Sequence, residues 1–460
     1  MQDEATQRPR VVVAGASGYV GRALVERLAA HYDVVGLSRR VPKASAASSV
    51  AWQSADLFSL RQTEQALNGA DFAVYLVHSM MPTERLTQAR FEDLDLILAD
   101  NFARAAAKAG VQQILYLGGL LPPGVRSVHL ESRREVEDAL AAHGVPVTTV
   151  RAGLVVGPGG SSTRILTALV RRLPLMLTPS WTGTACQPIA LQDLLPALEY
   201  ALARPTCYGQ TFDVGGAEVL TYREMMERTS AAMGTRRPMF AVPLLTPRLS
   251  VAWVCLVTGA PRQLVGPLVE SLKHPMVARD NRLVDTLGGP KVGFDEALMQ
   301  ALAEPESSGR APPHKRRRTA RSVQRLPAPH ERSATWIAQE YARWLPKFMW
   351  PFLRVERQAQ DLHFYLRLLR APLLRLRYLD TRSTEDRAVF QVVGGLLSRP
   401  TPKGAPPARL EFRLVNKGQQ VVAAVHEFRP RLPWVVYSLT QAQIHLGVML
   451  AFRHHLANAA

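Results

Sequence analysis

Cysteine is scarce in this 460-residue chain, with Cys186, Cys207 and Cys255 far apart. That spacing excludes a disulfide scaffold or a C-x-x-C zinc cluster and suits a reducing compartment. Acidic side chains are also in short supply, 38 against 56 Lys+Arg, leaving a formal net charge of +18. Hydrophobic residues at 47% and charged ones at 20% exclude wholesale disorder. The opening MQDEATQRPR has no apolar core, so no secretory leader is expected. A chain of this length exceeds one ordinary core, and two or more domains are expected. A cytoplasmic protein is anticipated, with peripheral contact at a membrane surface as a further option.

The charge excess is unevenly spread. Residues 1–302 carry 30 basic and 27 acidic side chains, residues 303–330 seven and two, and residues 331–460 nineteen and nine. These three stretches are read as a first domain, a basic Pro/Arg-rich linker and a second domain. The linker holds a basic knot from Lys315 to Arg318 and has no apolar period. It reads as a solvated connector, with electrostatic contact to a membrane surface or protein partner as the alternative. No RNP-like aromatics or helix-turn-helix pattern accompany it, which argues against nucleic acid.

In the first domain, Val11–Ala14 is a short β-branched run read as a buried parallel strand. Gly15-Ala16-Ser17-Gly18-Tyr19-Val20-Gly21 follows, then an amphipathic helix and a second strand at Asp33–Leu37. In this order the glycines have distinct tasks. Gly15 permits a tight turn, Gly18 lets backbone approach a pyrophosphate, and Gly21 lets helix and strand pack closely. The helix N-terminus, with Tyr19 and Val20, then favours the anion. After the second strand stand Ser38, Arg39 and Arg40 and no carboxylate, which favours NADP because a 2′-phosphate needs cations, with NAD as the alternative. Asp56 and Leu57 end a third strand near the expected adenine position. Val77 and His78 end a fourth, followed by Ser79. Strands at Gln113–Leu117 and Val145–Val150 continue an alternation that means a doubly wound parallel α/β sheet.

Several further stretches carry a family likeness: YLVHSM (75–80), NFARAAAKAGVQQILYLGG (101–119), RAGLVVGPG (151–159), PIALQDL (188–194) and FDVGGAEVLTYREMM (212–226). With the GxxGxxG loop, they make residues 11–300 resemble the atypical short-chain dehydrogenase/reductases. Within that family the chain resembles a set of bacterial NAD(P)-binding proteins with an uncharacterised C-terminal domain, in a group that includes relatives of a complex I accessory subunit. The resemblance implies a Rossmann fold and a Tyr-x-x-x-Lys pair with an upstream serine. The first 300 residues contain no such pair. In its register His129 replaces the tyrosine and Arg133 the lysine, while the serine position falls at Gly118-Gly119. Histidine is a competent acid near neutral pH, and arginine keeps a cation for the ribose. Hydride transfer between NADPH and a small hydrophobic carbonyl or quinone-like substrate is therefore one expectation. A catalytically degenerate NADP-binding scaffold or sensor, at a membrane or protein complex, is the other.

Met239–Ala260 is apolar but broken by Pro243, Pro247 and Arg248, and reads as helices lining a hydrophobic cleft or lying on a membrane. The C-terminal domain opens with a helical aromatic stretch at Trp336–Phe352. Strands are expected at Leu373–Asp380, Ala388–Leu397, Arg409–Val415 and Val421–Phe428. Trp434–Phe452 is free of formal charge but contains Ser438, Thr440, Gln441, Gln443 and His445, so a long helix across an antiparallel sheet is preferred to a membrane span. This α+β pattern resembles the helix-grip arrangement of START/polyketide-cyclase-like domains, although that fold needs more strands than these. A simple packing module is the alternative.

Overall fold

The computed structural model describes residues 8–41, 49–78, 86–124, 127–173, 175–235, 237–242, 247–259, 262–303 and 319–459. The chain divides into two compact units, residues 1–80 with 98–310 and residues 81–97 with 311–460.

The first unit is built on strands β1 (Arg10–Ala14), β2 (Asp33–Ser38), β3 (Ala51–Ser54), β4 (Phe72–Tyr75), β5 (Gln113–Gly119), β6 (Val147–Ala152) and β7 (Thr211–Val214). They form one parallel sheet in the order β7-β6-β5-β4-β1-β2-β3. Val11, Val12, Val13 and Ala14 are wholly buried, as a central strand covered on both faces must be. Helix α1 (Tyr19–Leu28) turns Leu24, Val25 and Leu28 inward at helical spacing. Helices α2 (Leu60–Leu67), α3 (Phe91–Ala109) and α4 (Val128–Leu140) follow β3, β4 and β5. Strand order reverses between β1 and β4, so a crevice opens beyond their carboxyl ends, where open α/β sheets take ligands.

Met239–Ala260 is not helical throughout. Met239–Val242 is a strand paired with Met176–Pro179. Helix α6 (Pro247–Thr258) begins on Pro247, where a missing N–H costs nothing. It packs with α5 (Ser161–Arg172) and α7 (Arg262–Ser271) through Leu169, Val251, Val254, Val265 and Val269. Pro243 lies outside the described residues.

The second unit contains β8 (Ala320–Pro327), α8 (Ala334–Phe348), β9 (Leu353–Gln358), β10 (Asp361–Leu366), β11 (Leu374–Tyr378), β12 (Arg387–Gly394), β13 (Arg409–Val415), β14 (Gln420–Phe428) and α9 (Gln441–Ala457). The seven strands pair antiparallel in the order β9-β10-β11-β12-β13-β14-β8, and Leu86–Gln88 adds a short parallel strand beside β8. One face, with Leu326, Ala388, Phe390, Phe412 and Val421, packs against Ile337, Tyr341 and Leu345 of α8 and Met449, Phe452 and Leu456 of α9. A seven-stranded antiparallel sheet gripping a long C-terminal helix supplies the strands that the sequence reading lacked.

Two expectations are corrected. Residues 303–330 are not linker throughout, because Ala320–Pro327 is a sheet strand. Its arginines look solvated in the sequence, yet Arg321 pairs with Glu427 and Arg325 with Asp93, far away in the chain. The knot Lys315–Arg318 lies outside the described residues. The apolar run from Trp434 is also not one helix: a short helix Trp434–Leu439 ends at Thr440, whose backbone is non-helical (φ −119°, ψ −84°). Its exposed side is not purely polar, since Val435, Leu439 and Ile444 are 66%, 71% and 59% exposed. By length and composition Trp434–Ala457 could cross a membrane, which is weak evidence for a single segment.

Candidate functional site

The loop between β1 and α1 meets the geometric demands of a phosphate cradle. Gly15 has φ +84°, a left-handed conformation that favours glycine, and Gly18 N–H donates to Gly15 O at 2.9 Å. A Cβ on Gly21 would stand 2.2 Å from Gly15 O and 2.8 Å from Ala16 Cα, so only glycine allows the helix to pack here. Helix α1 has Gly18 at its N-cap and no side-chain cap, and an α-helix leaves its first-turn N–H groups without intrahelical acceptors. Tyr19 turns its ring onto the segment after β6: a Cβ on Gly157 would fall 2.4 Å from its hydroxyl oxygen. The backbone is open where a pyrophosphate would approach, and the residues fit that group.

The loop after β2 is tied to this cradle. Ser38 Oγ donates to Ser17 Oγ at 3.0 Å, Arg40 N–H donates to Ser38 Oγ at 3.4 Å, and Ser54 Oγ donates to Arg39 O at 3.3 Å. Arg39 and Arg40 are exposed. Arg22, one residue past the last glycine, donates from Nε to Ser17 O at 3.1 Å. The sequence reading passed over Arg22, although a cation in the first turn behind a glycine loop is a signal that could have found it. Asp56 does not end β3 but lies two residues past it, where its carboxylate accepts from Phe58 N–H at 3.2 Å and so shapes the turn into α2. Leu57 is buried, and its carbonyl accepts from Asn101 Nδ2 at 2.8 Å.

Beyond the carboxyl end of β4, Val77 and His78 are half-buried, while Ser79 lies outside the described residues. Helix α4 starts where it does because Ser127 caps it, accepting from Leu130 N–H at 3.2 Å. His129 falls in the first turn and is 8% exposed, more enclosed than a surface helix residue. Its ring centre lies 5.3 Å from that of His78, with the planes tilted by 49°. Two positions read separately from the sequence are thus brought together at the mouth of the crevice. Arg133, one turn further on, lays its stem against the end of β5, where a Cβ on Gly119 would touch its Cγ at 3.8 Å. Gly118 has a packing reason: a Cβ there would stand 3.0 Å from the ring of Tyr116, which donates its hydroxyl to Arg133 O at 3.4 Å. A serine hydroxyl is absent from this end of β5. Among the described residues no cluster of three potential metal ligands occurs.

Comparison with known proteins bears on the fold of the first unit. Residues 15–168 match the family model described as NAD(P)H-binding. The auxiliary protein GraX of Staphylococcus aureus is 32% identical over 143 residues, 31% of this chain and 43% of GraX. A (4-alkanoyl-5-oxo-2,5-dihydrofuran-3-yl)methyl phosphate reductase of Streptomyces griseus is 29% identical over 238 residues, 50% of this chain and 75% of the relative. The chain spans less than half the length of the first curated relatives it matches, 43% of one and 26% of the next. Among solved structures, an NADPH-dependent quinone oxidoreductase of Escherichia coli complexed with NADPH shares the fold at TM-score 0.51 and 18% identity, over 64% of this chain and 99% of that one. The first unit has a Rossmann-type fold, and its residues 15–168 match an NAD(P)H-binding family.

Proposed function

We propose that the first unit is an NADPH-dependent reductase acting on a hydrophobic carbonyl or quinone-like compound. The observation that carries the reading is the adjacency of His129 and His78 at the crevice mouth, next to an intact glycine cradle. When held by this cradle, NADPH would supply the hydride for an electrophilic substrate carbon. His129 donates the proton that the resulting oxyanion needs, and an imidazole does so efficiently near neutral pH. Arg133 offers a fixed cation toward the ribose, and Arg39 and Arg40, with Arg22 behind them, offer charge-assisted hydrogen bonds to the 2′-phosphate. Gly15, Gly18 and Gly21 hold the backbone close to the pyrophosphate, with Ser17, Tyr19 and Val20 around it. Asp56 and Leu57 border the adenine, and Val77 and His78 the nicotinamide ribose. The quinone preference draws support from the Escherichia coli oxidoreductase and the reductase activity from the Streptomyces relative.

A second reading, a nucleotide-binding scaffold, is favoured by Gly118, since no serine hydroxyl stands where one would polarise a carbonyl. Both are decided by one experiment: NADPH affinity, then NADPH oxidation across a panel of quinones and aldehydes, in the wild type and His129→Ala. Turnover that collapses in the variant supports the reductase. Tight NADPH binding with no turnover on any compound sinks it in favour of the scaffold.

A further inference from the structure

The most exposed large apolar side chain in the described structure is not in the first unit. Leu368 is 92% exposed, and Leu369 follows it at 41%. They lie in the loop after β10. Phe348 ends α8, and the loop from there to β9 carries Trp350 and Phe352; the three are 49%, 63% and 61% exposed. The two loops adjoin, because Leu353 pairs with Leu366 and Arg367 N–H donates to Phe352 O at 2.8 Å. The Arg367 guanidinium lies 3.9 Å from the centre of the Trp350 ring. Single exposed apolar residues are ordinary, but four on two adjoining loops, with Phe348 at the helix end that enters one of them, form a patch that calls for a partner.

The charge around the patch selects that partner. Residues 344–355 and 362–379 contain Lys347, Arg354, Arg367, Arg370, Arg375 and Arg377 and no Asp or Glu. Arg354 and Arg377 are paired with Glu356 and Asp361, whereas Lys347, Arg367 and Arg370 have no ion pair among the described residues. We propose that this aromatic tip, rimmed by Lys347, Arg367 and Arg370, docks the second unit on an anionic lipid bilayer. Tryptophan and phenylalanine settle at headgroup depth, and the long basic side chains bury their stems while their charges reach lipid phosphates. The surface is independent of the reductase reading, which concerns the other unit.

The test uses the full chain and co-sedimentation with vesicles of phosphatidylcholine, alone or with phosphatidylglycerol. Binding to the anionic vesicles should exceed binding to neutral ones by at least about tenfold and weaken as salt is raised. The pair Phe352→Ser and Leu368→Asp should weaken it by about tenfold or more without lowering the melting temperature. Should that pair unfold, Arg367→Gln with Arg370→Gln removes the rim charge alone and should also weaken anionic binding. No sedimentation, equal binding to neutral vesicles, or binding that survives these changes and is lost in Leu439→Asp would overturn the proposal. So would a dimer abolished by the tip changes in a chain that ignores vesicles, which would assign the tip to a second copy.

Discussion

At the residue scale, His129 and Arg133 stand one helical turn apart on α4, and the proposed reductase reading gives them the acid and the ribose anchor. If His129 donates the proton, His129→Ala should lower kcat by about a hundredfold or more and leave the NADPH dissociation constant within about threefold. Stopped-flow hydride transfer and fluorescence titration measure the two separately. Gly21 makes a sharper structural prediction. Valine at this position would drive its Cβ into Gly15 O, and overpacking of this kind costs about 1–3 kcal/mol. Gly21→Val should therefore lower the melting temperature and abolish NADPH binding, read by thermal scanning with and without nucleotide. The glycine loop was legible in the sequence because its requirements are local: positive φ, absence of Cβ and a helix start lie within seven residues. The meeting of His78 and His129 was not, since a distance across a crevice has no spacing signature.

At the element scale, strand β13 carries a buried charge cluster on the face away from α8 and α9. Glu411 is fully buried and accepts bidentately from Arg387 at 2.9 and 3.0 Å and from Arg413 Nε at 2.7 Å, with His426 Nε2 at 3.5 Å. Burial alone would raise its carboxyl, but Arg413 and Arg387 outweigh burial and hold it well below the usual range. Glu411→Gln leaves buried arginines facing one another and should cost about 3–5 kcal/mol, read from denaturant unfolding of the full chain. Replacing a partner of a buried pair is expensive even where the pair itself adds little.

Two histidines of the same unit give a pH dependence. Burial, then Arg409, holds the His426 imidazole well below its ordinary value, and burial pushes His445 down to about 4. Both rings stay neutral in the fold but protonate near pH 6.5 in the unfolded chain, which thus binds more protons at lower pH. Stability is fully present above about pH 6.5 and is lost as pH falls toward 4. His445 alone accounts for up to about 3 kcal/mol, less as far as solvent reaches the ring. The Glu411 carboxylate adds a loss that sets in below its ordinary value of 4.5 and is complete once its depressed value in the fold is passed. Melting temperature against pH should be flat above about 7 and fall below about 6, and His445→Gln should flatten the slope.

For the whole molecule, helix α3 belongs to both units, residues 91–97 to the second and the rest to the first. Asp93 in its first turn receives Arg325 Nε at 2.9 Å, and Leu86–Gln88 is held by β8. A chain ending at residue 303 removes both anchors. Amide exchange at residues 92–97 should then rise by about tenfold or more over the full chain, while the later turns of α3 stay protected. Equal protection in both chains would show that this segment needs no support from residues after 303.

The sequence by itself determined the Rossmann sheet, its glycine cradle and the basic exit from β2, because buried β-branched runs and glycine demands are read within a few residues. It also marked the charge excess as belonging to the C-terminal part, and within that part most of the strands. Tertiary structure alone decided that Ala320–Pro327 is a strand, that the apolar run from Trp434 breaks at Thr440, and that residues 81–97 join the second unit. In each case the deciding partner is distant in the chain. Arginines that look solvated are neutralised by Glu427 and Asp93, and a strand edge is completed by Leu86–Gln88 from more than 200 residues away. Such pairing energy is invisible to any local pattern, which is why composition located the charge and only the fold could say what it faces.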